Sequence, residues 1–556
     1  MGAPYQSELP IIMKKDLDTV LAYHQRTKHH LQRYAAGPGE LDWAHQPNPF
    51  RNFVGSPRRT LPLLADEPCP RYINLYMPEE IAPQALTLKS IASLLETSFG
   101  LSAWKQYGSE RWALRCNPSS GNLHPTEAYV VVESCSGIED GLHHYMSRDH
   151  VLEHRCRFDT TTNGSKRILP PDSFLLGLSS IHWREAWKYG ERAYRYCQHD
   201  VGHAIAAVRY AAATLGWQAR VLTTWGDENI GAILGVDRDE DFGEAEREHP
   251  DAMLVVTSQP LGSACGEFAS SALMRAARSG HWQGRANALS THHLHEWPII
   301  AEAARACEKP ETQENRWHAP TLPELAGSAC ERPAVEIIKQ RRSAQAFDGA
   351  SSIPASTFYR MLDMTLPRLA LPPWDAIGWV PRVHLALFIH RVDGLVPGLY
   401  LFLRNYSMEA KLRAELSAEF EWMRVEGCPA HLLLFRLVAA DVQNAARTLS
   451  CHQDIAADGA FSLGMLAEFG TSLAQGPWLY RQLFWEAGML GQVLYLEAEA
   501  AGVRGTGIGC YFDDAVHDLL GIKGHDVQSM YHFTIGTALS DNRLQTLPAY
   551  AHLGRS

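Results

Sequence analysis

Two stretches of this chain answer each other at a fixed spacing, and that constrains the fold more than any other feature. "AYRYCQHDVGHAIAAVRYAAATLGW" begins at Ala193 and "LYRQLFWEAGMLGQVLYLEAEAAGV" at Leu479. Tyr194 and Arg195 correspond to Tyr480 and Arg481, Gly202 to Gly488, Gly216 to Gly502, and Leu234-Gly235 to Leu520-Gly521, always 286 positions apart. One shared offset over about forty residues, with a common helical period, marks a duplication. Farther upstream, "GLHHY" at Gly141 matches "GLYLF" at Gly398, each just after an apolar strand candidate, "AYVVV" or "HLALFI". A helix precedes each strand, "LKSIASLLETSFG" or "PASTFYRMLDMTL". Each copy therefore reads helix, strand, long irregular segment, long helix, short strand, short helix and final strand. That order predicts an α+β sandwich built twice, and argues against a doubly wound parallel sheet.

At 556 residues the chain is too long for one ordinary core. The duplication divides it into a first domain over 1–262, a linker over 263–330 and a second domain over 331–556. The linker's Pro, Glu and Gln content and weak strand signal predict one or two short helices. Apolar content of 46% and charge of 20% describe a soluble globular protein. A formal charge of −11 argues against nucleic acid or an acidic membrane as partner, so an anionic ligand would need a local basic site. Eleven scattered cysteines, odd in number and without a CxxC pair, suit free thiols in a reducing compartment. The start, "MGAPYQSELPIIMKKDLDTV", lacks a signal-peptide pattern, and the longest apolar runs fall well short of the ~20 residues that span a bilayer. A cytoplasmic enzyme is expected.

"RCNPSSGNLHPTEAYVVV", residues 115–132, sets Pro118, Ser119, Ser120, Gly121 and Asn122 against a β-branched run. A glycine without Cβ, flanked by short hydroxyls and an amide, lets a flat or anionic group approach the backbone closely; taken alone the stretch favours an ordinary turn, so the rest of the chain decides. His292, His293 and His295 cluster in the linker, but no Cys or carboxylate stands at zinc-like spacing, so no metal is expected. Neither a dinucleotide-binding glycine fingerprint after a strand nor a G-x-S-x-G or HExxH motif occurs.

Taken in order, "YHQRTKH", "GELDWAHQPNPFR", "PSSGNLHP", "WKYGERAYRY" and "HDVGHAIAAVRYAAATLG" in the first copy, with "IIKQRRSAQAF", "AGVRGTGIGCYFDD" and "FTIGTALSDNRLQTLPAY" in the second, carry a family pattern. The chain resembles the nitroreductase superfamily, and within it the SagB-type dehydrogenases, which include azoline oxidases of peptide natural-product pathways. The resemblance implies α/β/α sandwich domains that bind FMN at a two-fold interface, each site drawing on both domains. Tandem copies would form that dimer within one chain, as an intramolecular pseudo-dimer; association into a further homodimer is left open.

Carried onto this sequence, the resemblance implies cofactor contacts from Pro118, Ser119, Ser120 and Asn122 in the first copy. Arg341, Arg342, Ser343, Gln345, Gly507, Ile508 and Gly509 would join them from the second, with Arg543 a further phosphate candidate. Arginine suits a phosphate because it stays charged and donates in several directions. Aligning the copies puts "PSSGNLHP" opposite "DAIGWVPR", where Ala376, Ile377 and Trp379 replace the polar groups, and puts "GTGIGC" opposite "ARVLTTW", which has no glycine. One complete site and one FMN per chain are therefore expected. The opposite site, combining "RTKH", "ARVLTTW" and "DAIGW", is expected to be empty or to hold something else.

Lys188 and Tyr189 have Ala474 and Gln475 at the 286 offset, so the pair belongs to one half. The family's azoline oxidases place a catalytic Lys-Tyr pair here, which a proton-managing role would explain. The structural alternative is a helix cation paired with Glu191 and a packing aromatic. Tyr194 and Arg195 recur in both copies, which favours a shared structural role. Cys510 and His124 flank the implied site, where a packing thiol and a turn histidine read equally well. The expected function is FMN-dependent dehydrogenation of a small molecule or of a peptide- or carrier-linked heterocycle. The alternatives are an NAD(P)H-dependent nitro- or quinone reductase and a non-catalytic flavin-binding scaffold.

Overall fold

The computed structural model describes residues 11–64, 69–77, 80–158, 167–261, 270–314, 317–325 and 330–554. Two 22-residue helices, α1 (Ala193–Thr214) and α2 (Leu479–Ala500), start 286 residues apart and lie against each other at the centre. Each accompanies its own sheet. The first is built on β1 (Thr126–Val132), β2 (Gly141–Met146), β3 (Val151–Arg157), β4 (Ser173–Ser180), β5 (Gln218–Val221) and β6 (His249–Thr257). The second repeats it with β7 (Val383–Ile389), β8 (Gly398–Leu403), β9 (Leu433–Ala439), β10 (Phe461–Glu468), β11 (Arg504–Ile508) and β12 (Val527–Gly536). The spatial orders, β3-β2-β1-β4-β6-β5 and β9-β8-β7-β10-β12-β11, are the same. All of these neighbours are antiparallel. Register repeats as well: Tyr129 faces His144 and Ala386 faces Leu401, both 257 positions on. The segment expected to be irregular in each copy thus holds two further strands, β3 and β4 or β9 and β10.

β1 and β7 are buried at every residue because both faces of their sheets are covered. Ala128, Val130 and Val132 pack toward α1, while Tyr129 and Val131 meet Ile230, Ile233 and Leu234 on the other face. Leu385 and Leu387 join the same central core as α2, and Ala386 and Phe388 meet Val516 and Leu520. One hydrophobic core runs through both long helices, so neither copy closes its own interior.

At the helix crossing Gly202 and Gly488 stand opposite each other. A Cβ on Gly202 would run into the Trp485 carbonyl oxygen, and one on Gly488 into that of His199, so the backbones touch where the pseudo-two-fold passes. Two buried ion pairs frame the contact. Arg195 meets Asp513 at 2.8 Å and Arg481 meets Asp227 at 2.7 Å, each reaching from one copy into the other. The recurring arginines have the structural role their repetition suggested.

The chain's arms cross between copies too. The helix Ile11–Arg26 leads into contacts with the second copy, where His24 meets Tyr480 and Gln528. The strand Gln545–Leu547 pairs with Trp104–Gln106 near the chain's beginning. In the linker, helices Ser270–Arg278 and Pro298–Ala306 are joined by two short strands that sequence did not foretell. His281–Trp282 pairs with Cys156–Arg157, and Arg285–Ala286 with Phe53–Val54, so this part of the linker belongs to the first copy's sheets. The boundary expected at 262–263 falls outside the described residues. Among the described residues, no helix is long and apolar enough to cross a membrane.

Candidate active site

A cavity of about 810 Å³ opens between the copies, within the ~300–1,000 Å³ of small-molecule and cofactor clefts. The first copy lines it with the loop Pro118–Asn122, Tyr189, Tyr196, Asp200 and His203. The second contributes Arg341–Gln345, Tyr495, Thr506–Cys510, Tyr531 and the segment Ala538–Asn542.

The loop is held from behind by α1. Asp200 accepts from the Ser120 amide and hydroxyl, both at 3.0 Å, while Ser119 Oγ accepts the His124 amide at 2.8 Å. Gly121, Asn122 and His124 all take positive φ, a run that turns the chain sharply into β1. The Asn122 amide donates to the Ala113 carbonyl and its oxygen meets His124 Nε2, so this side chain braces the turn. A Cβ on Gly121 would meet Tyr189 Oη at 2.5 Å and Lys188 Nζ at 3.2 Å. Glycine here allows the Lys-Tyr pair to lie against the loop. Lys188 and Tyr189 end the helix His182–Tyr189, which Gly190 stops at φ 55°. Lys188 does not pair with Glu191 as proposed for a structural role; Glu191 is taken by Arg26, with a hydrogen bond of 2.8 Å from its Nε.

The opposite wall is β11. Ser343 bridges to Gly505 in parallel, and its hydroxyl meets Tyr495 Oη at 2.8 Å, which also accepts the Gly507 amide at 2.9 Å. Tyr531 fills the space a Cβ on Gly507 would need, and the Tyr196 ring that of Gly509. Tyr196 Oη donates to the Gly509 carbonyl at 3.1 Å. Ile508 is buried, and Gln345 stands exposed at the rim.

Cations dominate one end. Lys105, Arg115, Arg341, Arg342 and Arg504 line the cavity, against Asp200 and Asp541. Burial pushes Arg115 down to about 10; burial and then the neighbouring Arg341 push Arg342 down to about 10 as well. Burial, followed by Arg342 and Arg504, also lowers Lys105. The buried Nε atoms of Arg341 and Arg115 have no hydrogen-bond partner. Such a cluster is what a phosphate would relieve. Arg543 is not among the lining groups: Asp541, two residues before it, captures the guanidinium at 2.8 Å and leaves the side chain 73% exposed.

Sequence reasoning passed over two carboxyls. Burial raises Asp200 to about 7, its bonds to Ser119 and Ser120 notwithstanding. Glu185 is buried with neither oxygen bonded, and burial followed by Asp200 raises it well above the carboxylate range. Burial, and then Glu185, likewise raise the Tyr189 phenol, which stays protonated at neutral pH. Asp200 was visible in "QHDVG", but its partners lie 80 residues away.

At the pseudo-symmetric position the chain fills its own space. Arg209, which replaces Tyr495 at the 286 offset, clamps Asp375 through two 2.8 Å bonds. The linker crosses there, with the Thr312 amide on Thr224 and the Trp317 amide on Gly378. "RTKH" is not part of that position, contrary to expectation. Lys28 meets Asp514 at 2.7 Å and the His29 amide meets Asp513 at 3.0 Å, which puts the segment beside the 507–510 wall of the open cavity. The linker histidines form no metal cluster among the described residues; His293 stacks on Trp183 and meets Glu246.

No family model matches the chain. A crystal structure from Anabaena variabilis, of a protein that carries a nitroreductase name, superposes with a TM-score of 0.67 over 94% of this chain and 99% of its own, at 20% identity. The fold is that of the nitroreductases. It is carried here twice in tandem. Among curated proteins, MJ1384 of Methanocaldococcus jannaschii, also named as a nitroreductase, is 25% identical over 162 residues, 28% of this chain and 78% of its own length. The trifolitoxin-processing protein TfxB of Rhizobium leguminosarum bv. trifolii is 32% identical over 169 residues, 28% of this chain but 44% of TfxB.

Proposed function

We propose that this nitroreductase-fold chain is an FMN-dependent oxidoreductase of the SagB type, with one FMN per chain, that oxidises a peptide- or carrier-linked heterocycle or a related small molecule. The observation that carries the reading is the inter-copy cavity lined by the 118–122 loop and the 506–510 strand. Its buried Arg115 and Arg341 have no ion-pair partner among the described residues, its glycine strand leaves no room for side chains, and the Lys188-Tyr189 pair lies against the 118–122 loop. Arg341, Arg342 and Arg115 would hold the phosphate, Ser343 and the 118–122 loop the ribityl chain and ring edge, and Gly507–Gly509 would lie along the ring. When bound, FMN supplies a two-electron acceptor.

The chain's own residues handle orientation and protons. Tyr189, kept neutral by burial, presents its hydroxyl as a donor at the loop. Lys188 beside it takes up or passes on the substrate proton, and Asp200, near 7, can exchange a proton close to neutrality. Tyr196 fixes the Gly509 carbonyl. The name of TfxB, a trifolitoxin-processing protein, supports a role in maturing a product of that kind.

The test is anaerobic mixing of the FMN-loaded protein with a thiazoline- or oxazoline-containing peptide, followed by flavin absorbance. Loss of the oxidised band together with formation of the aromatic azole is expected. Bleaching by NADPH with no response to the azoline peptide would replace this reading with a reductase.

A further inference from the structure

Cys510 and Cys451 come from elements 59 residues apart, yet their sulfurs lie 2.7 Å from each other. Cys510 follows Gly509 in the cavity wall, and Cys451 sits in the turn after the helix Gln443–Leu449. That turn is strained: Cys451 and His452 both take positive φ, at 55° and 59°, without being glycine. Gln453 holds it against the strand, its amide donating to the Ser450 carbonyl at 2.8 Å and the Cys510 carbonyl at 3.2 Å. Neither cysteine is fully buried. Nothing in the proposed oxidoreductase chemistry uses this pair.

We propose that Cys451 and Cys510 form a redox-active dithiol that exchanges with low-molecular-weight disulfides, with Cys510 attacking and Cys451 resolving. The Cys510 thiolate attacks one sulfur of RSSR, expelling RS⁻ and leaving a mixed disulfide on Cys510. Cys451 then gives up its proton to the medium and attacks the Cys510 sulfur, expelling the second RS⁻. In sum, two protein thiols and RSSR become one protein disulfide and two RSH. The order of attack follows from the surroundings. The Cys451 thiol and then His29 hold Cys510 down to about 5 against its burial, with Arg192 adding to the effect, while Cys451 is raised. Among the described cysteines with a shifted thiol, Cys510 alone is shifted down. The inference does not depend on the cavity binding FMN.

The experiment treats the reduced full-length protein with 2-hydroxyethyl disulfide, blocks remaining thiols by alkylation and maps the peptides by mass. Wild type is expected to give a Cys451–Cys510 cross-link without a lasting adduct, and Cys510 to react about tenfold faster than any other cysteine. Cys451→Ser should retain a stable mixed disulfide on Cys510, and Cys510→Ser should leave Cys451 unmodified. A stable adduct on Cys510 in wild type, absence of the cross-link, or equal modification of Cys451 in Cys510→Ser would each overturn the proposal. The wild-type result stands even if a variant fails to fold.

Discussion

Replacing Gly202 with alanine should loosen the two copies from each other. The added methyl would meet the Trp485 carbonyl oxygen, with backbone atoms on both sides of the contact, so no side-chain rotation relieves it. On the facing helix, a Cβ at Gly488 would lie 2.9 Å from the His203 nitrogen and 3.0 Å from Gly202 Cα, where ordinary contacts begin near 3.4 Å. Overpacking of this kind costs ~1–3 kcal/mol or more, while glycine to alanine within a helix returns at most ~1 kcal/mol. With backbone atoms on both sides the upper end of that range applies, so the net effect is a loss of about 2 kcal/mol, which should fall on the inter-copy contact and hence on the cavity. Gly231 supplies the control. It also lies in a helix, Asp227–Leu234, but its Cβ would find Pro250 at 3.6 Å and Val236 at 3.9 Å, an ordinary fit. Urea midpoints and FMN titrations of both variants separate the effects. Gly202→Ala should lower the midpoint and weaken FMN binding, and Gly231→Ala should leave the midpoint unchanged or raise it. A Gly202→Ala protein as stable as wild type, with unchanged FMN affinity, would refute the account of the crossing.

Arg341→Gln and Arg342→Gln should each weaken FMN binding about tenfold or more, since a charge-assisted bond is worth ~1.5–3 kcal/mol. Binding of riboflavin, which lacks the phosphate, should not change, and calorimetry with the two ligands compares them. Lys188→Met and Tyr189→Phe should retain FMN and lower turnover of the azoline peptide by about 10²-fold or more, measured by single-turnover absorbance. Asp200 carries a folded pKa of about 7, above its ordinary value, so its proton stabilises the fold at low pH. That contribution, up to about 4 kcal/mol, is lost as pH rises from ~4 through ~7. Urea midpoints of wild type and Asp200→Asn across this range should converge at low pH, where the protonated aspartate matches the neutral asparagine, and separate at high pH with the variant the more stable and its slope the flatter. Identical slopes would remove Asp200 as the titrating group.

The duplication was legible because both long helices keep the same glycines and arginines, and those residues turn out to make the helix crossing and the cross-copy ion pairs. The walls of the cavity were legible as motifs, since loops such as "PSSGN" and "GTGIG" leave short local patterns. Strand β3 was not. "VLEHRCR" reads as polar, yet Glu153 is buried accepting the Phe53 amide, Arg58 and His144, and Arg155 pairs with Asp241. Hydrophobic alternation cannot reveal a strand whose buried charges neutralise one another across the fold. The position of "RTKH" was misjudged for a related reason: nothing local says which copy an arm will cross to, and Asp513 and Asp514, nearly 500 residues away, decide it. Arg543 was drawn off by Asp541, a local competitor to a distant ligand. Asp200 and Glu185 owe their importance to burial, which only the assembled fold shows.

The most direct measurement is the amount of FMN released on denaturation from purified, FMN-reconstituted protein, set against chain concentration and supported by the absorbance spectrum. One FMN per chain is the expected result, lost or weakened with Arg341→Gln. Two per chain would contradict the filling of the opposite position by Arg209 and the linker. None after reconstitution would contradict the flavin reading itself.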